Sequence, residues 1–321
     1  MGSGSGLMTG AGWSDTPIQR DRPLLDWQDP AIVAWLVTLL PLSWLAPQRF
    51  WTPVCVLVSS ATTRLAPRST AFRIETVRQR YGDRDGLPAP DVTVAHSRAG
   101  RMERHLQYLR EFRPGGWNTR IELTGGEHID RALESGRGCI VWVAPMMYAF
   151  LVAKKGLSGA GYSLTHLSHA DHGVSESRLG RRMNAVRTIP EERYLAERLV
   201  MTDGSELRST RELYDRLRAN ALVSITAETT WGARQVTGPF LGGTMRLATG
   251  APSLSLASGA ALLPAFAIKR THDRFEVIIE PALTAPPSSS RHEAVDEMAR
   301  RYIDRIEHYV TRHPEQYANW W

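Results

Sequence analysis

The sequence predicts an α/β protein: a central mixed, mostly parallel sheet flanked by helices, with an N-terminal amphipathic helical segment ahead of it. Three observations carry that expectation. Residues 139–144 (Cys-Ile-Val-Trp-Val-Ala) form a short apolar run of the kind found in strands buried on both faces, and Pro145 suits the first turn of a helix reaching to about Gly159 or Gly161. Residues 162–167 supply the next strand, so this stretch reads strand, helix, strand. Residues 221–227 (Ala-Leu-Val-Ser-Ile-Thr-Ala) repeat the buried-strand pattern behind a stretch, 206–218, that reads as amphipathic through Leu207, Leu213 and Leu217.

Taken in order, the chain begins with residues 1–20, set aside as tag-like and disordered: the first six, Met-Gly-Ser-Gly-Ser-Gly, have linker composition, and no signal-peptide pattern is present. Residues 21–82 are expected to be a membrane-facing helical segment and residues 83–321 the α/β domain. The run 29–60 is the most apolar in the chain, but Pro41, Pro47, Pro53 and Arg49 interrupt it. A spanning helix needs about 20 continuous apolar residues, so two short helices lying in a membrane interface are expected, with a helical hairpin buried against the domain as the alternative. Arg64, Arg68, Arg73, Arg78 and Arg80 follow, which suits an anionic membrane surface. The ten tryptophans, several within the first sixty residues and two at positions 320 and 321, read as an interfacial belt with a second anchor at the C-terminal end.

Residues 93–112 have helical spacing through Met102, Leu106, Leu109 and Phe112, and Pro114, Gly115 and Gly116 end that helix. An edge strand is expected at 120–123 and a short helix at 128–133, with His128 a surface or capping residue. After the central strand, helix and strand comes a helix at 175–184, then a short strand at 186–189. The strand 221–227 delivers Glu228 at its carboxyl end. A glycine-bracketed turn, 238–243, precedes Thr249-Gly250, which opens a helix over 251–258. Residues 262–269 and 274–280 form a hairpin with Asp273 in its turn, and 292–313 form a long helix using Ala294, Met298, Tyr302, Ile306 and Tyr309.

Charge narrows the partners. The chain carries 39 Lys and Arg against 33 Asp and Glu, a net charge of +6, and Lys occurs only at 154, 155 and 269. Such a balance attracts nucleic acid, anionic lipid or a phosphorylated thioester carrier, and no nucleic-acid module is recognisable. The two cysteines, Cys55 and Cys139, sit in apolar runs and read as reduced, buried thiols. In an open α/β sheet ligands bind beyond the carboxyl ends of the strands. That makes the loop after residue 167 the leading site candidate, because His166, His169, Asp171 and His172 fall within seven positions.

Several pieces, in this order and spacing, resemble a known family. They are residues 125–138 (Gly-Gly-Glu-His-Ile-Asp-Arg-Ala-Leu-Glu-Ser-Gly-Arg-Gly), 238–243 (Gly-Pro-Phe-Leu-Gly-Gly), 248–252 (Ala-Thr-Gly-Ala-Pro), 258–266 (Ser-Gly-Ala-Ala-Leu-Leu-Pro-Ala-Phe) and 313–317 (His-Pro-Glu-Gln-Tyr). From about Trp35 onward the chain resembles the lysophospholipid acyltransferase superfamily, in particular its branch of bacterial lauroyl/myristoyl acyltransferases of lipid A biosynthesis and the related phosphatidylinositol mannoside acyltransferases. The resemblance implies a peripheral protein at the cytoplasmic face of the cell membrane. It would move an acyl chain from a thioester, on coenzyme A or acyl carrier protein, to a hydroxyl or amine, with no cofactor. It also implies that Pro145, Tyr148, Gly242, Gly243, Thr249 and Gly250 lie near the donor thioester or the acceptor.

One departure matters. The family places a His and, five residues later, an acid at the junction of strand and helix, the His deprotonating the acceptor hydroxyl and the acid fixing its tautomer. An ungapped alignment puts Pro145 and Phe150 on those positions, and a shift of one puts Ala144 and Ala149 there. Glu228 matches the family's Asp after a later strand, whereas His169 falls where relatives carry an Arg. Three readings stay open: a base relocated to His169 or His172, with Asp171 and Glu228 orienting it, His166 in the strand and Arg178 facing phosphate or a developing oxyanion; an inert acyl-binding scaffold; or a catalytic knockout at Ala144 and Ala149. Zinc on His166, His169, Asp171 and His172 lacks nearby thiolates, and Ser168 and Ser175 lack a nucleophile elbow.

Overall fold

A computed structural model describes residues 24–82, 84–169, 177–202, 206–227, 229, 234–285 and 290–320. Four helices come first: α1 (Asp29–Leu45), α2 (Trp51–Leu65), α3 (Pro67–Tyr81) and α4 (Pro90–Glu111). The α/β part continues with β1 (Arg120–Thr124), α5 (Gly126–Glu134), β2 (Cys139–Val143), α6 (Ala149–Gly159), β3 (Leu164–His169), α7 (Arg178–Met183), α8 (Ala185–Glu192) and β4 (Glu197–Met201). It closes with α9 (Glu206–Arg218), β5 (Leu222–Thr226), β6 (Gln235–Phe240), β7 (Gly243–Ala248), α10 (Gly250–Ser258), β8 (Ala261–Lys269), β9 (Arg274–Ile279) and α11 (Arg291–Arg312).

The main sheet has seven strands in the order β1-β9-β8-β2-β5-β3-β4, and every neighbouring pair is parallel except β8 and β9. The expected mixed, mostly parallel sheet is therefore the fold. β2 is central and every one of its residues is buried, as an apolar run between two helical layers requires. On one face α6 comes so close at Gly156 that a Cβ there would stand 2.8 Å from Ile121 and 2.9 Å from Val277. On the other, Tyr302 of α11 stacks on Trp142 at 4.1 Å and donates its hydroxyl to the Trp142 carbonyl at 2.5 Å. Cys55 and Cys139 are free and buried, and burial pushes both thiols up to about 12.

The N-terminal helices pack on α4 rather than standing apart. Ser43 and Trp44 donate to the carbonyls of Leu106 and Leu109, and the Arg110 guanidinium answers with bonds to the Ser43 and Ala46 carbonyls, satisfying the open carboxyl end of α1. Pro41 lies inside α1 without ending it. Leu45, Leu57, Leu65 and Phe72 of these helices, and Trp27 before them, are exposed.

Three local expectations are corrected. Residues 186–189 are not a strand but part of α8; the strand is β4, further on. α8 packs on α4 and α6, and its end is tied in by Glu191, which accepts from Tyr108 and Lys154; tertiary contacts override a short β-branched run. Pro145 does not start a helix. The Pro145 carbonyl accepts from Ala318 and the Met147 amide donates to Gln316, so this segment pairs with the C-terminal tail before α6 begins. Trp320 is fully buried, edge-on to Tyr81 and Tyr317, and donates to the Pro314 carbonyl, so it is core rather than anchor. Trp321 lies outside the described residues.

Candidate functional site

A cavity of about 1060 Å³ opens where β2, β3 and β5 end, the place where parallel sheets bind ligands. Its floor comes from Trp142 and Pro145 after β2, His166 to Ser168 of β3, and Ile225 to Ala227 of β5. Ala318 and Asn319 of the tail close one side. The tail is held there by Arg101, which donates to the Ala318 carbonyl at 2.6 Å, and by Arg80, which donates to that of Asn319 at 2.6 Å.

One wall is cationic. Arg101 and Arg104 come from α4, Lys154 from α6, and Arg187 and Glu191 from α8. Lys154 donates to one oxygen of Glu191 at 2.5 Å and Tyr108 to the other at 2.5 Å. Burial works against the Glu191 carboxylate, but Lys154 and Arg187 more than offset it and hold its pKa below the usual value. The Phe150 ring is flanked by Arg104 and Arg187, each guanidinium 5.7 Å from its centre. His105, one residue along α4 from Arg104, is lowered from its usual 6.5 to about 4 by burial first and then by Arg104, Arg187 and Arg101. Its Nδ1 has no partner among the described residues.

The rest of the lining is largely apolar. Met201, Leu213 and Leu254 come from β4, α9 and α10 and line the cavity together with Ile225 and Phe150. The start of α10 lines it too, where the Thr249 amide and hydroxyl both donate to the Arg234 carbonyl and Gly250 opens the helix. Arg198 and Arg234 also border the cavity, each paired with an acid, Glu192 at 2.8 Å and Asp296 at 2.7 Å.

Of the residues proposed from sequence, Pro145, His166, Thr249 and Gly250 line this one cavity. His166 is buried, its Nδ1 3.3 Å from the Ser224 hydroxyl. His169 ends β3, its backbone in register with Met201; its side chain, like all of Asp171, His172 and Glu228, lies outside the described residues. Tyr148, Arg178, Gly242 and Gly243 do not line the cavity. Tyr148 is buried edge-on against Phe275 at 5.5 Å, and Arg178 opens α7 just after its Ser177 cap. Gly242 makes a backbone contact instead: its amide donates to the Arg80 carbonyl, and a Cβ on it would stand 2.5 Å from the Gly82 Cα. Among the described residues no group of three or more His, Cys, Asp or Glu side chains is placed to hold a metal.

Sequence reasoning missed Tyr108, Lys154, Arg187 and Glu191. Two signals were present. Lys154 is one of only three lysines, set in an otherwise apolar stretch, and Arg101, Arg104 and Tyr108 recur at three- and four-residue intervals, one face of a helix.

Residues 96–320 match the model of a family described as bacterial lipid A biosynthesis acyltransferase. The search of curated proteins gives no match.

Proposed function

The chain belongs to the bacterial lipid A biosynthesis acyltransferase family, and from that premise we propose that it moves an acyl chain from a thioester, on coenzyme A or acyl carrier protein, to a hydroxyl or amine of a lipid or related metabolite. The observation that carries this reading is the single cavity at the strand ends, which joins an apolar lining to a cationic wall. Transfer needs both: an acyl chain is buried against carbon, and the polar carrier and the developing oxyanion need fixed positive charge.

The step also needs a proton acceptor. The acceptor oxygen or nitrogen forms a bond to the thioester carbonyl carbon, the C–S bond breaks, and the proton released by the acceptor ends on the departing thiolate. Pro145 and Phe150 have no group that takes a proton. In our reading the carrier of that proton is imidazole supplied by the end of β3 and the residues after it, His169 or His172, with Asp171 and Glu228 orienting it. The buried His166 on the cavity floor supports this, because it brings the same strand end to the site. A second reading, an inert acyl-binding scaffold, draws on Phe150, whose ring packs within 5.7 Å of two guanidinium groups in the cavity wall.

Thiol release and acyl-lipid formation from palmitoyl-coenzyme A with a total lipid extract separate the two. The transferase reading expects acceptor-dependent release that falls at least about a hundredfold, the general-base contribution, in His169→Ala or His172→Ala. Acyl-coenzyme A binding without release supports the scaffold.

We place the protein peripherally, on the cytoplasmic face of the membrane. The exposed apolar residues of α1 to α3 and Arg64, Arg68, Arg73, Arg78 and Arg80, within α2 and α3, support this. Among the described residues no helix is long and apolar enough to cross a membrane.

A further inference from the structure

The cationic wall holds more charge than it balances. Four cations, Arg101, Arg104, Lys154 and Arg187, line this wall against one carboxylate, Glu191, so positive charge exceeds negative there among the described residues. The nearby arginines that border the same cavity do not share this excess: Arg198 and Arg234 each have their own acid. Like charges gathered in a partly buried place cost free energy unless something opposite joins them. Burial and Arg187 both weigh against the charge of Arg104 and His105 is kept neutral, whereas Tyr108 and Glu191 support the charge of Arg187. Nor is the arrangement loose. Each guanidinium lies 5.7 Å from the centre of the same aromatic ring, on helices α4 and α8 that pack together, and the Arg187 Nε is buried with no partner among the described residues.

We propose that this wall is a binding site for a phosphate group, with Arg104 and Arg187, both close to the Phe150 ring, as its two forks. A phosphate supplies the negative charge that the wall lacks, and the planar guanidinium is the side chain best fitted to paired phosphate oxygens. Met201, Leu213 and Leu254 line the same cavity, so its ligand is a molecule that carries both a phosphate and apolar surface. Which substrate brings the phosphate, donor or acceptor, rests on the transfer reading above; the charge argument does not.

The test is binding by the full-length protein to two matched pairs at fixed salt: 4′-phosphopantetheine against pantetheine, and dioctanoyl phosphatidic acid against dioctanoylglycerol. At least one phosphate-bearing member is expected to bind tenfold or more tightly than its uncharged counterpart. Phosphopantetheine points to the donor and phosphatidic acid to the acceptor. Arg104→Gln and Arg187→Gln are expected to abolish the preference, Arg104→Lys to reduce it by losing the fork but keeping the charge, and Arg208→Gln, an exposed residue on α9, to leave it intact. Ligand-free Arg104→Gln is expected to melt no lower than the parent, because it relieves repulsion, and this separates lost binding from lost fold. The proposal is overturned if neither pair shows a preference, or if the preference survives in both Gln variants. Binding with no acyl transfer would sink the transferase reading and leave this site standing; transfer with no phosphate preference would do the reverse.

Discussion

At the scale of single residues, the cavity is defined by groups whose charge is set by their neighbours. His105 is the clearest case. Its folded pKa, about 4, lies below its usual 6.5, so between those values the unfolded chain binds the proton and the folded chain does not. The sign follows: this contribution is intact above pH 6.5 and is lost as pH falls toward 4, at about 1.4 kcal/mol per unit. Urea unfolding at pH 6.5 and 5 is expected to show a loss of about 1 to 2 kcal/mol that His105→Gln removes. Glu191 makes a second prediction. Replacing it by Gln leaves Lys154, Arg104 and Arg187 without their carboxylate, and breaking a buried pair costs about 3 kcal/mol; the same unfolding measurement reads it. Little of this was legible in the sequence. Tyr108 and Glu191 are 83 positions apart, and no local pattern announces a bond over that distance, whereas the histidines near residue 169 drew notice because they are neighbours in the chain.

At the scale of elements, legibility followed locality. β2, α6, α9 and the β8–β9 hairpin are each declared by their own periodicity, and each stands within a few residues of where the pattern put it. α8 is not, because Val186 to Ile189 has strand propensity and only its packing on α4 and α6 makes it helical. The glycines near residue 240 were read as ligand contacts, yet the close approach they permit is between α3 and the β6–β7 hairpin. Gly82 has φ of +59° and a Cβ on it would stand 2.8 Å from the Gly242 Cα. Gly242→Ala is therefore expected to push the hairpin off α3 and cost about 1 to 3 kcal/mol, the usual penalty of overpacking. Limited proteolysis of residues 234–248 should quicken with it.

At the scale of the whole molecule, the ends of the chain complete the site. α4 supplies the cationic wall on one side and the N-terminal helices pack on the other. The tail then returns to pair with residues 145–147, buries Trp320 and closes the cavity with Ala318 and Asn319. The mixed, mostly parallel character of the sheet was readable in advance from alternating apolar runs and helices, and with it the expectation of a site at the strand ends; the order of the strands was not. That the last residues belong to the core was not, because two terminal tryptophans look alike whether they meet lipid or protein. The central claim is that this enclosed space, not the outer face of α1 to α3, receives the acyl chain. Photolabelling with a palmitoyl-coenzyme A bearing a diazirine in its chain, followed by peptide mapping, tests it most directly. Labels on Phe150, Met201, Leu213 and Leu254, displaced by unlabelled palmitoyl-coenzyme A, are the result expected. Labels confined to residues 27–72 would contradict it.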